Sequence, residues 1–407
     1  MKRYYLSTIL SLMRRTRVPL RVTAHVISSC LLALSLNVSA DPFAVYWGGV
    51  SFPSWDNRGQ LFPNTAKFLC RAGGCADRHL DAWAIRALEN REFQNIEISR
   101  ELISTNQIEG VIATPMITGE SVVETMDTTD DQTNFIYTFR IFASLLFYEF
   151  STGRVIAAVP TIVQLTDVTA AKLPERGIEK RFEAMLDPSG GATTLFVSLF
   201  SKAVTVNPSN FSSKYIAVQH AVIDDEVRAQ IDSQTTSRWA DLTSRHLESQ
   251  LAANTGAPIV PRIPADQITG ELVATFSNGA MKIQLPDAIP FNFKLRIRNT
   301  RLVEKIELKQ KTMCHAVAIS LGLDGPFESI LDAPLVRTKE SCGVIAAEKE
   351  VDSLYYFEQS IMSLISQAAE QLREDPDPEF FKRAAPKNRE LRSDFRNAWA
   401  EVLKPAF

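Results

Sequence analysis

The sequence predicts an α+β protein of two domains, each a largely antiparallel sheet with flanking helices, behind an N-terminal export signal. Three observations predict it. Apolar runs with strand periodicity follow one another directly, at 135–150 and 155–165 and again at 291–309 and 313–323. Helical periodicity stands on either side of each pair of runs. A turn-rich segment, Val206-Asn207-Pro208-Ser209-Asn210-Phe211-Ser212-Ser213, divides the chain between two such passes. Adjacent strands with helices set beside them are the mark of α+β architecture.

The export signal comes first in the chain. An apolar patch precedes the basic cluster Arg14-Arg15-Thr16-Arg17, and a second apolar run centres on Leu31, Leu32, Ala33, Leu34 and Leu36. Val38-Ser39-Ala40 then supplies the small-x-small pattern of a cleavage site. Residues 1–40 are therefore expected to be a signal peptide, with the mature chain starting at Asp41. The usual order, basic then apolar, reads correctly from Met13, which makes Met13 a candidate start. Two rival readings remain open. The apolar run could stay as an anchor, although it is shorter than the ~20 residues of a span. Ile27-Ser28-Ser29-Cys30 is the other, as an acylation box, although Cys30 lies inside the apolar run rather than after it.

Beyond Asp41 no apolar run approaches the roughly 18 residues of a candidate span. The mature chain is expected to be soluble, periplasmic or secreted. Its domains are placed at 41–206 and 213–373, with a polar joint and a C-terminal helix at 374–407. The chain carries 44 basic and 47 acidic residues. Six of the basic ones, and no acidic one, lie before Asp41, which leaves 38 against 47. That acidic balance argues against general nucleic-acid binding, which depends on neutralising phosphates.

The first pass opens with a strand at 43–52. A helix at 80–93 follows, then strands at 110–117, 135–150 and 155–165, then helices at 177–186 and 192–204. Ser151-Thr152-Gly153-Arg154 is the turn between the two longest strands. The second pass has a strand at 215–223 and a helix at 237–252. Short strands at 272–276 and 281–285 flank the hairpin signal Ser277-Asn278-Gly279. Long strands at 291–309 and 313–323, a helix at 351–372 and a last helix near 389–403 complete it. Both faces of the run 135–150 are apolar, so it is expected to be a central strand covered on both sides. Arg140, lying within it, then needs an acidic partner.

Four cysteines remain after the signal: Cys70, Cys75, Cys314 and Cys342. An even count in an exported chain points to disulfides, and four cysteines allow three connectivities. The local pairs Cys70–Cys75 and Cys314–Cys342 are favoured. A metal reading rests on Cys70-x4-Cys75-x3-His79, but zinc sites usually show shorter cysteine spacings and a second nearby pair.

No nucleophile elbow, P-loop, zinc-protease helix or dinucleotide fingerprint occurs. No cofactor, no metal and no catalytic residue is expected. His246 reads as a surface or packed histidine on an amphipathic helix. Cys314 and His315 are adjacent, so in a strand they face opposite ways, with His315 expected in solvent. Asp127, Asp130 and Asp131 could hold Ca²⁺ or form a polar turn, and Asp224, Asp225 and Glu226 read as a helix start. The sharpest pattern is Lys294, Arg296 and Arg298 alternating with Phe293, Leu295 and Ile297. A strand puts the cations on one face and the apolar groups on the other. That face is either an ordinary solvated one or a strip for an anionic partner.

The run Phe139-Arg140-Ile141-Phe142-Ala143-Ser144-Leu145-Leu146-Phe147-Tyr148-Glu149-Phe150-Ser151-Thr152-Gly153-Arg154-Val155-Ile156, preceded by Ala87-Leu88-Glu89-Asn90-Arg91-Glu92-Phe93, carries a resemblance. It is similar to the helix and hairpin of the periplasmic α/β domain in curli-secretion lipoproteins and penicillin-binding-protein activators. The resemblance implies an accessory protein of the cell envelope, with an envelope protein or an anionic envelope polymer as partner. This chain departs from that family in its second domain and in having no cysteine placed for lipidation. A soluble, non-enzymatic binding protein is therefore the expected function. The alternatives are a secreted hydrolase using dispersed carboxylates and an exported effector.

Overall fold

The computed structural model describes residues 43–53, 58–69, 79–89, 91–99, 110–129, 132–204, 215–255, 259–260, 271–276, 279–285, 291–325, 335–347, 351–371, 377–384 and 397. The expected signal peptide, Cys70, Cys75, the linker 206–213, Glu374-Asp375-Pro376 and almost all of the last expected helix lie outside the described residues. So do Asp130, Asp131 and the side chain of Asp127. The segment Phe43–Phe407 forms one compact unit. It is α+β, as the periodicities require.

The first sheet holds β1 (Phe43–Trp47), β3 (Ile96–Ser99), β4 (Val111–Thr129), β5 (Gln132–Glu149) and β6 (Val155–Thr169) in the order β3-β1-β4-β5-β6. β1 runs parallel to both neighbours, and β4, β5 and β6 form an antiparallel meander. The expected strand 43–52 is broken into β1 and β2 (Phe52–Pro53) at Gly48-Gly49. Gly49 has φ of 83°, a left-handed conformation that glycine takes without strain. Asp81 fastens the break by accepting the Val50 N–H at 2.6 Å. Gly153, at φ of 69°, makes the tight turn from β5 to β6 where the sequence placed it.

β5 is central and covered on both sides. Its Phe139, Ile141, Leu145 and Phe147 face a core shared with α1 (His79–Glu89), α2 (Glu175–Leu186) and α3 (Leu195–Ala203). On the opposite face Leu146 and Tyr148 join a smaller core containing Ala274 and Ile283. Those two residues belong to a three-stranded sheet of β2, β9 (Glu271–Phe276) and β10 (Gly279–Gln284). β9 and β10 pair antiparallel with Phe276 opposite Gly279, a hairpin where the sequence placed one, though one residue out of the register that an Asn-Gly loop would give.

The third sheet runs β13-β12-β11-β7, from β7 (Ile216–Val218), β11 (Phe291–Glu307), β12 (Gln310–Asp324) and β13 (Leu335–Ala346). β8 (Val222–Ile223) pairs with β11 beyond β7. The order repeats that of the first sheet: a leading strand lies parallel to the first strand of a three-stranded antiparallel meander. β13 had no clear sequence signal, because Arg337, Thr338, Lys339, Glu340 and Ser341 interrupt its apolar alternation.

Between the first and third sheets lies α4 (Ser233–Thr255), which touches β6, β7 and α5 (Ser353–Ala369). Asp232 caps α4 by accepting the Thr235 N–H at 2.6 Å. Trp239, Leu247 and Leu251 of α4 pack into the third sheet's core with Ile361, Leu364 and Ile365 of α5. α5 and the short α6 (Pro378–Ala384) cover that sheet's inner face, where the Arg337 guanidinium lies 4.6 Å from the Phe380 ring centre. No described helix is long and apolar enough to cross a membrane.

Candidate functional site

The third sheet has an inner face built from Phe293, Leu295 and Ile297 of β11 and Val317, Ile319, Leu321 and Leu323 of β12, all buried. The pleat must then turn the intervening residues outward. Lys294, Arg296 and Arg298 are all exposed, as their alternation requires. Opposite Lys294 and Arg296 on β12 stand Gly322 and Ser320. The outward residues of β12 continue small, as Ala318, Ala316, Cys314 and Thr312. The result is a shallow floor beside a file of cations on β11.

Two features of this face were not visible in the pattern. First, a bulge falls between Ile297 and Asn299, so Arg298 is the extra residue and the alternation changes phase. Asn299 is exposed and Thr300 is buried, with its hydroxyl 3.2 Å from the Gln230 amide oxygen. Past the bulge the file continues in Arg301, opposite Ala316. Second, two of the three cations have acidic neighbours. Lys294 pairs with Asp324, and Arg296 with Asp224. Arg298 makes no ion pair or hydrogen bond among the described residues. Exposed pairs of this kind hold on the order of 0–1 kcal/mol, so an anionic ligand can compete for both cations.

Cys314 and Cys342 stand directly opposite one another on β12 and β13 and form a disulfide. Their sulfurs also lie near the Glu340 carboxylate, an arrangement that with free thiols would resemble a metal cluster. Oxidised sulfurs are not thiolate ligands, which leaves a single carboxylate. The adjacent His315 is a correction to the sequence reading. It faces inward rather than to solvent, because its strand neighbour Cys314 takes the outer face. The ring stacks on Tyr356 at 5.0 Å between centres and meets Phe357 edge-on at 5.2 Å. Its Nε2 lies 3.2 Å from the Ser353 hydroxyl, and burial lowers its pKa.

A second polar cluster lies inside the molecule, between the first sheet and helices α4 and α5. Arg140 is 1% exposed and pairs with Glu358 of α5, while its Nε donates to the Gln164 amide oxygen at 2.8 Å. Arg238 of α4 stands 3.9 Å from the other Glu358 oxygen. Burial lowers the Arg140 pKa, and the Glu358 carboxylate opposes that shift. Farther along the seam His246 Nε2 meets the Ser366 hydroxyl at 2.8 Å and the Met362 carbonyl at 3.1 Å. Lys202 donates to the Ser249 hydroxyl at 2.7 Å, and burial pushes its pKa down to about 8. The acidic partner that Arg140 needed is thus supplied 218 residues away in sequence. This cluster joins layers, with Arg140 and Glu358 buried and Arg238 partly exposed.

No family model and no curated protein matches the sequence. Among solved structures, the chain is similar to a protein described as a neuraminyllactose-binding hemagglutinin homolog from Helicobacter pylori. The identity is 13%, over 46% of this chain and 91% of that one, with a TM-score of 0.22. Superposition at that level carries no inference about fold or function.

Proposed function

We propose that the chain is an exported, non-enzymatic accessory protein of the cell envelope, periplasmic or secreted, and that the outer face of its third sheet holds an anionic envelope protein or polymer. The observation that carries this reading is the exposure of Lys294, Arg296 and Arg298 over a floor of small side chains, with Phe293, Leu295 and Ile297 buried behind them. An open, flat surface suits an extended ligand better than a small molecule, which prefers a concave site. The Cys314–Cys342 disulfide supports an oxidising compartment. The resemblance of 139–156 to envelope accessory proteins points the same way.

The test replaces all three cations with serine. Their side chains are exposed and their ion pairs weak, so thermal stability should hardly change. Capture of anionic envelope material by the mature protein should fall, most clearly at low salt, because screening sets in beyond ~8 Å at physiological ionic strength. A triple variant that captures the same material as wild type would reduce the strip to a solvated face.

A further inference from the structure

We propose that the free end of the β11–β12–β13 meander is a membrane-touching tip, which dips into the surface of a bilayer containing anionic phospholipid. Every residue from Arg301 to Gln310 is exposed. Leu308, in the two-residue turn between β11 and β12, is completely exposed; Ile306 is 62% exposed and Val344 61%. Leu302 and Val303 are exposed as well. A soluble protein seldom leaves so many large apolar groups together in water unless something covers them.

The register says what kind of occupant fits. Val303 and Val344 lie on the outer face of the meander, in the rows Val303–Cys314–Cys342 and Lys305–Thr312–Val344. Leu302 and Ile306 lie on the other face, in the rows Leu302–His315–Ser341 and Ile306–Lys311–Ile345. Leu308 crowns the end. A flat protein partner would cover one face and leave the other wet. A medium that surrounds the tip covers both. The last three cross-strand rows, two intervals of ~3.4 Å, span about 7 Å, which falls within the ~5–10 Å depth reached by interfacial segments.

Charge narrows the choice to an anionic surface. Among the described residues Arg301, Lys305, Lys309 and Lys311 surround the tip, against Glu304, Glu307 and, in the Arg301 row, Glu340. Glu307 is neutralised by Lys305 at 2.5 Å. The stretch of β13 that belongs to the tip, Ser341-Cys342-Gly343-Val344-Ile345-Ala346, has no charge at all. Lysines stand on the outer row, the inner row and the turn, so each can lift its ammonium to the headgroups while its stem lies against apolar neighbours.

The turn residue itself adds to this. Leu308 has φ of 58°, a left-handed conformation that asparagine and glycine adopt more easily than leucine. The turn therefore carries a large apolar group where local backbone preference favours a small or polar one.

The experiment is sedimentation of the mature, oxidised protein with vesicles of phosphatidylcholine alone and of phosphatidylcholine mixed with phosphatidylglycerol. Wild type should bind the mixed vesicles and bind phosphatidylcholine at least tenfold more weakly. Leu308→Asn with Ile306→Thr keeps residue types suited to the turn and the strand, and should lower binding at least tenfold. Lys309→Gln with Lys311→Gln should lower it about fivefold per cation removed, and only on the anionic vesicles. The loss caused by Leu308→Asn with Ile306→Thr should be the same size when Lys294, Arg296 and Arg298 are also replaced by serine, which separates this tip from the basic strip. Equal binding to both vesicle types, or unchanged binding by Leu308→Asn/Ile306→Thr, overturns the proposal. So does a lipid-free dimer that the same double variant converts to a monomer, because the tip would then be an interface between two copies.

Discussion

His246 sits between α4 and α5 with its ring nitrogen held by a carbonyl and a hydroxyl, and burial pushes its pKa down to about 4. The nearby Lys202 and Arg140 charges push the same way. In the unfolded chain the imidazole takes a proton near its ordinary value of about 6.5. The unfolded state therefore binds more protons between those two values. Stability is fully present above about pH 6.5 and is lost as pH falls through about 4. The expected loss is on the order of 1–3 kcal/mol. His315, lowered by burial as well, adds to it in the same direction. Chemical denaturation at a series of pH values should show the slope, and His246→Gln should remove most of it. An unchanged slope in that variant would mean that other groups set the pH dependence. From sequence His246 was only a histidine on an amphipathic helix. Its titration is decided by burial against α5, whose Met362 and Ser366 lie more than a hundred residues later in the chain.

At the scale of the element, β13 and the disulfide show where local signals end. Cys314 lies in a run that reads plainly as a strand, while Cys342 lies in a stretch too polar to be read as one. The pairing of the two cysteines was nevertheless legible, since it rests on separation and compartment rather than on secondary structure. β13 is the edge strand, and near Cys342 its residues are exposed, so hydrogen bonds to β12 and the disulfide are its chief restraints there. Closing a loop over the 28-residue separation stabilises by roughly 3 kcal/mol in the chain-entropy model. Replacing both cysteines with serine should lower stability by about that amount and speed hydrogen exchange along β13. Native exchange rates in the double variant would show that strand pairing alone holds the edge. The bulge after Ile297 belongs to this scale too. It moved Asn299 outward and Thr300 inward, and nothing in the run 291–309 distinguishes those two polar residues beforehand.

At the scale of the whole molecule, one core runs from Val45 to Ala203 and another from Ile216 to Phe380. They meet across α4 and the Arg140–Glu358 pair. A buried pair adds little stability relative to an apolar replacement, but breaking it strands a charge. Arg140→Met is therefore expected to cost about 3–5 kcal/mol by leaving the Glu358 carboxylate buried beside a more distant Arg238. Arg140→Met with Glu358→Leu should recover most of that loss in urea denaturation. A double variant as unstable as the single one would show that the pair holds the layers in place rather than merely compensating two charges.

The sequence by itself determined the α+β class, the long paired strands, the hairpins at Gly153 and between Phe276 and Gly279, and the side of β11 on which Lys294, Arg296 and Arg298 stand. These depend on residue periodicity and turn chemistry, which act over a few positions along the chain. Only the tertiary structure decided the pairing of Arg140 with Glu358, the inward turn of His315, the carboxylates beside Lys294 and Arg296, and the joint exposure of Ile306, Leu308 and Val344. Those outcomes depend on which distant segment packs where, and burial and electrostatic pairing act through space rather than along the chain.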